Sequence, residues 1–203
     1  MSDQVEWAKR IAALAKTGLY YAENHFDRER YQQLLDLAVD MLADGSGSEA
    51  SRVKLILAAD DGYITPKVDV RGAVFRDGKI LLVREVADGR WTLPGGWADV
   101  GDAPSEAVER EIWEESGYEV KAVKLLALED RKLRHPPSPN EVYKVAFLCE
   151  LVGGAARPSA ETTAVGWFGE GELPPLSEGR VTAGQIRRWF KHWRQPDLPT
   201  EFD

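Results

Sequence analysis

The chain has 203 residues, 43% of them hydrophobic and 30% charged, and a formal net charge of −8. That length suits one domain of ordinary size plus a small appendage, and the apolar share permits a packed core. The acidic balance argues against a long nucleic-acid duplex, where affinity comes from Lys and Arg at phosphates. A small phosphorylated substrate is compatible with it, because a metal ion supplies positive charge locally. Cys149 is the single cysteine. It reads as a buried small hydrophobe within YKVAFLCELV, and with no intramolecular disulfide the chain fits a reducing cytoplasm. The N-terminus lacks a basic start followed by an apolar core, so no signal peptide is expected. No apolar run approaches the roughly 18 residues of a membrane span.

In chain order, Trp7, Ile11, Leu14 and Ala15 recur at helical spacing, and Gly18 reads as the end of that helix. A second helix is predicted from Asp27, read as its N-cap, through Tyr31, Leu34, Leu35, Ala38, Met41 and Leu42 to about Gly45. DGSGSEAS (44–51) reads as a connection, and a short third helix as covering Glu49 to Ala58. The expected organisation is a helical domain over 1–61 and a mixed α/β domain over 62–203. KVDVRGAVF alternates, DGK turns and ILLVRE returns, which is a hairpin pattern. Gly95–Gly96 lead into a loop, and a helix follows from Pro104 to Ser116 with Gly117 past its end. AVKLLALED, EVYKVAFLCELV and TAVGWF read as further strands, with the proline-rich RHPPSPN between the first two. A last helix, about Thr182 to Trp193, carries Ile186, Trp189, Phe190 and Trp193, whose aromatics are expected to dock on the body of the fold.

The helix over 104–116 carries an unusual set of acids. At about 100° per residue, Val108 and Ile112 share one face, and Glu111 and Glu115 stand one turn apart beside it. Glu114 lies further round, four residues after Arg110, which is placed to pair with it. Acids that flank an apolar stripe rather than oppose it, next to a glycine-rich loop, suit a divalent cation. Mg²⁺ takes oxygen ligands and is held by carboxylates together with substrate phosphates.

Gly96, Arg110, Glu111, Ile112, Glu114, Glu115, Gly117 and Tyr118 fall on the fixed positions of the pattern G-x5-E-x7-R-E-U-x-E-E-x-G-U, where U is apolar. The segment therefore resembles a Nudix hydrolase, and the wider resemblance covers about Lys67 to Phe168. One position departs: Asp102 stands where the pattern has glutamate. The resemblance implies a Nudix α/β/α sandwich with a mixed sheet, and hydrolysis of a nucleoside diphosphate linked to a moiety X with Mg²⁺ or Mn²⁺. Carried over by position, Glu111, Glu114, Glu115 and the carbonyl of Gly95 are the expected metal ligands, and Arg110 is the orienting partner. Glu111 and Glu161 are the two candidates for the base. Glu161 stands six residues before Trp167, where several Nudix relatives place an extra acid.

For substrate contacts, Arg71 and Arg84 on the first two strands are candidates for phosphate. Trp91 and Tyr143 either stack on a base or pack in the body, and His135 is a weaker candidate. The N-terminal helices, GYITPKVDVRG and the ending PDLPTEFD resemble the subgroup that hydrolyses X-linked nucleoside diphosphates. That implies a homodimer acting on a small nucleotide, CDP-choline first and ADP-ribose second. The alternatives are a housecleaning nucleoside triphosphate pyrophosphohydrolase and a non-catalytic nucleotide sensor. Sensors of that kind usually lose box carboxylates, whereas here Arg110, Glu111, Glu114 and Glu115 all remain.

Overall fold

The computed structural model describes residues 3–46, 49–58, 65–136 and 141–203. The expected boundary at 61/62, Gly62, Tyr63 and Ile64 of GYITPKVDVRG, Gly47 and Ser48 of the first connection, and 137–140 of the proline-rich loop lie outside the described residues. The chain divides into two compact units, Met1–Pro66 with Pro137–Glu141, and Lys67–Pro136 with Val142–Asp203.

In the first unit, α1 (Asp3–Tyr21), α2 (His25–Ser46) and α3 (Ala50–Ala58) bury Val5, Ala8, Val39, Leu42 and Val53 among themselves. Gly18 lies inside α1 rather than ending it. A Cβ there would fall on the ring of Tyr31 from α2, so the glycine serves close approach of two helices. Nor is Asp27 the cap of α2: the Asn24 side chain accepts the Asp27 backbone N–H at 2.8 Å, one turn earlier than expected.

The second unit is built on a mixed sheet of β1 (Lys67–Arg76), β2 (Lys79–Glu85), β3 (Trp91–Thr92), β4 (Tyr118–Asp130), β5 (Val142–Gly154), β6 (Thr162–Phe168) and β7 (Glu201–Phe202). The spatial order is β3-β2-β1-β5-β4-β7, with β6 pairing β2. β1 runs parallel to β5 and antiparallel to β2, and β4 is antiparallel to β5. One face is covered by α4 (Pro104–Ser116), whose Val108 and Ile112 pack with Val70, Val74, Leu81 and Cys149. The other face is covered by α5 (Ala183–Arg194), whose Ile186, Trp189 and Phe190 pack with Ala73, Ile80, Leu82 and Leu126. These aromatics are core residues, each worth about 1.5–3 kcal/mol of burial. The result is an α/β/α sandwich.

The ends of α4 set the position of its acids. Pro104 opens the helix, Glu106 accepts the Ala103 N–H at 3.2 Å, and Gly117 closes it at φ 76°, donating to the Trp113 carbonyl at 2.9 Å. Gly72 of β1 faces this helix. A Cβ there would collide with Ile112, so the bare strand lets α4 lie close to the sheet. Among the described residues, no helix is long and apolar enough to cross a membrane.

Candidate active site

The loop after β3 runs back along β1. Gly72 N–H donates to the Pro94 carbonyl at 3.0 Å and Val70 N–H to the Gly96 carbonyl at 2.8 Å. Among the described residues, the Gly95 carbonyl between them accepts no hydrogen bond. Gly95 has φ 139°, and a Cβ there would fall on the Val70 carbonyl oxygen. At Gly96 a Cβ would come within 2.7 Å of Glu111 Oε2. Both glycines are needed for backbone to pass between β1 and α4.

This loop, α4 and the segment before β6 enclose a cavity of about 480 Å³. Its walls gather Arg71, Gly95, Arg110, Glu111, Glu114, Glu115 and Glu161, all singled out in the sequence. The Arg110 guanidinium contacts four carboxylates. Nη1 donates to Glu111 Oε1 at 2.9 Å and Glu114 Oε2 at 3.2 Å, and Nη2 to Asp99 Oδ2 and Asp102 Oδ2, both at 3.2 Å. Asp102 is thus a partner of Arg110, and the N-cap of α4 is Ala103. Glu115, 5% exposed, accepts the Gly95 N–H at 2.8 Å.

Burial pushes the Glu115 carboxyl up to about 8; Arg71 and the Gly95 N–H oppose this, while Glu85 and Glu111 add to it. Burial likewise raises Glu111 against the pull of Arg110, and Glu85 against Arg180 and Arg71. Desolvated acids that crowd one cavity favour either protons or a cation. Among the described residues, no three of them already converge as a chelate. In this state Arg110 holds Glu111 and Glu114, and the Gly95 N–H holds Glu115. The donor set is all oxygen, the kind that Mg²⁺ and Mn²⁺ take.

Arg71 enters from β1 and is itself held. Its Nε and Nη2 meet Asp69 Oδ1 at 3.0 and 2.9 Å, and the buried Lys144 of β5 also pairs with Asp69. Burial alone would raise the Asp69 carboxyl, but Arg71 and Lys144 outweigh it and hold it low.

Four substrate candidates are not brought to the cavity. Arg84 is exposed and donates to the Gly89 carbonyl at 2.7 Å. Trp91 packs edge-on against Phe168 at 4.7 Å, in the core beneath α5. Tyr143 stands on β5 beside Val68, half exposed. His135 is buried, its Nδ1 2.7 Å from the Glu178 carbonyl. Conversely, Glu85, Trp97 and Arg180 line the cavity and were not singled out. Arg180 Nε meets Glu85 Oε1 at 3.2 Å, a pairing across 95 positions that no local pattern signals.

Residues 65–190 match the NUDIX domain. The chain belongs to the Nudix family. Residues 2–57 match a second family, described as a UDP-X-like, N-terminal oligomerisation domain. A Bacillus subtilis (strain 168) protein named "Putative ADP-ribose pyrophosphatase YjhB" is 43% identical over 98% of both chains. The crystal structure of a UDP-X diphosphatase superposes with a TM-score of 0.65 and 35% identity, over 100% of this chain and 98% of that one. An ADP-ribose pyrophosphatase from Streptococcus suis 89-1591 aligns with a TM-score of 0.64 and 42% identity, over 68% of this chain and all of that one. The chain is accordingly a Nudix pyrophosphohydrolase with a helical N-terminal extension, similar to ADP-ribose and UDP-X diphosphatases.

Proposed function

We propose that this Nudix enzyme hydrolyses the diphosphate linkage of a nucleoside diphosphate joined to a small polar X, with ADP-ribose ahead of CDP-choline. The observation that carries it is the one cavity in which Glu111, Glu114, Glu115, Glu161 and Gly95 meet Arg71 and Arg180. The full-length similarity to a protein named for ADP-ribose moves that substrate ahead of CDP-choline.

Nudix hydrolases generally use divalent metals. Here Glu111, Glu114, Glu115 and the Gly95 carbonyl would hold Mg²⁺ or Mn²⁺, which when bound neutralises phosphate charge and lowers the pKa of water. The chain's own groups do the rest. Arg110 keeps Glu111 and Glu114 in place by charge-assisted hydrogen bonds. Arg71, fixed by Asp69, presents a guanidinium to phosphoryl oxygens, and Arg180 adds a second. A water oxygen forms a bond to one phosphorus as the bridging P–O bond breaks, and Glu111 or Glu161 takes the proton from that water. The products are a nucleoside monophosphate and the phosphate of X. In solution the enzyme is a homodimer assembled through the N-terminal helices.

The test is kcat/KM for ADP-ribose, CDP-choline, a UDP-sugar and an oxidised purine triphosphate under one Mg²⁺ condition, with products identified. A preference of tenfold or more for an X-linked diphosphate is expected. An equal preference for the triphosphate replaces this reading with a housecleaning one, and no turnover of any of them points to a sensor.

A further inference from the structure

Beside the acidic cavity lies a second hollow of about 490 Å³ whose walls are mainly apolar, formed by Val68, Trp97, Ala98, Val100 and Pro104, with Lys67, Asp99 and Asp102 completing its lining. Trp97 and Asp99 line both spaces, so the two are immediate neighbours. Trp97 follows the two glycines of the loop directly and is 49% exposed. Val68 and Val100 of the same hollow are also exposed, so Trp97 belongs to a contiguous apolar patch and is not a lone exposed ring.

Its backbone is not free to wander. Asp69 and Trp97 form an antiparallel bridge, flanked by the Val70–Gly96 hydrogen bond at 2.8 Å and the Ala98–Val68 hydrogen bond at 3.0 Å. The indole is therefore carried on a fixed support, while among the described residues no other ring and no hydrogen bond holds the indole itself. Trp113 differs, since Arg157 covers its ring. So does Trp193, which stacks on Phe75. Trp91, the other tryptophan near this loop, is used up by Phe168.

We infer that Trp97 is the stacking platform for the nucleobase of the substrate, with the base lying in the apolar hollow and the diphosphate in the acidic cavity. This rests on the proposed hydrolysis of a nucleoside diphosphate and adds where the nucleoside goes. A ligand site that joins apolar walls to a few converging polar groups has this composition. The hollow suits a flat heterocycle better than a cationic X. Its two rim carboxylates, Asp99 and Asp102, are already paired with Arg110 and offer a second cation little. A platform held on fixed backbone spends little ordering entropy on binding, and stacking a base on an aromatic ring is worth roughly tenfold to a hundredfold in affinity.

The experiment compares wild type, Trp97→Phe and Trp97→Ala with the best X-linked substrate, alongside melting curves. Trp97→Ala is expected to raise KM at least tenfold with kcat held within about threefold and an unshifted melt. Trp97→Phe is expected to restore KM to within about threefold of wild type. In parallel, AMP and CMP without metal are expected to quench tryptophan emission in wild type and not in Trp97→Ala, while ribose 5-phosphate and choline quench neither. An unchanged KM in Trp97→Ala, a loss confined to kcat, or quenching by choline in place of the nucleotides overturns the assignment. Wild-type enzyme that turns over no X-linked nucleotide sinks the underlying function instead, and the nucleotide quench still decides whether Trp97 meets a base.

Discussion

The backbone N–H of Gly95 donates to Glu115 Oε2 at 2.8 Å, across 20 residues of chain. This bond ties the glycine loop to α4 and leaves the Gly95 carbonyl on the same short stretch of backbone. Position 95 tolerates no side chain, because φ is 139° and a Cβ would fall on the Val70 carbonyl. Gly95→Ala is therefore expected to cost about 2 kcal/mol or more through backbone strain and to lower kcat at least tenfold as the loop retreats from Glu115. Urea unfolding and steady-state kinetics measure the two effects. A variant as stable and as active as wild type shows that the close approach is dispensable.

Glu111→Gln and Glu115→Gln each remove a negative oxygen while keeping the side chain's size. Both are expected to lose at least a hundredfold in kcat, about 2.7 kcal/mol of barrier, with folding retained. For Glu115 the substitution also removes the cost of taking up a proton on folding at neutral pH, because burial raises its carboxyl to about 8, so its melting temperature is expected to equal or exceed that of wild type. Turnover with Mg²⁺ beside thermal melts is the check. Near wild-type rates in either folded variant remove that glutamate from the site.

The residues of α4 were readable because a short-range pattern encodes them. The 3.6-residue period places Glu111 and Glu115 beside Val108 and Ile112, and Pro104 and Gly117 mark the ends. Arg110 was seen as a partner for Glu114 but not for Asp99 and Asp102, because loop geometry brings those two acids to it. Glu85 and Arg180 meet only after β2 and the segment before α5 have packed. Gly18 was misread for a related reason. As a helix breaker by propensity it signalled an end, yet the approach of Tyr31 from another helix decides its place. Trp91 and Trp97 show the same limit, since composition cannot tell which of two nearby tryptophans packs against Phe168 and which faces solvent.

His135 makes stability depend on pH. It is 7% exposed, its Nδ1 faces the Glu178 carbonyl, and its Nε2 is buried without a partner. Burial lowers its pKa to about 4; the Glu178 carbonyl opposes this, Lys144 and Arg131 reinforce it, and Asp69 opposes it weakly. The folded state thus resists a proton that the unfolded chain accepts near pH 6.5. The contribution is complete above pH 6.5 and shrinks as pH falls from there towards 4. Between pH 7 and 5 the loss is expected to reach about 2 kcal/mol. Unfolding free energies of wild type and His135→Gln across that window check it. The gap between them should narrow as the solution is acidified, and a constant gap shows that His135 protonates freely in the fold.

The N-terminal unit leaves apolar side chains in water. Leu14 is 71% exposed, Tyr21 66% and Leu34 43%, and all three line one hollow between α1 and α2. Scattered apolar residues need no explanation, but a contiguous set on a small helical unit marks an interface. The family matched over 2–57 is described as an oligomerisation domain. The full chain is expected to run near twice 22.6 kDa by light scattering at micromolar concentration. Leu14→Glu combined with Leu34→Glu places charge on both helices of the hollow, where an association buries it without a partner. That double variant is expected to run near 22.6 kDa with its helical circular dichroism intact. A monomeric wild type defeats the dimer, and a double variant that remains dimeric moves the interface to another face of the helices.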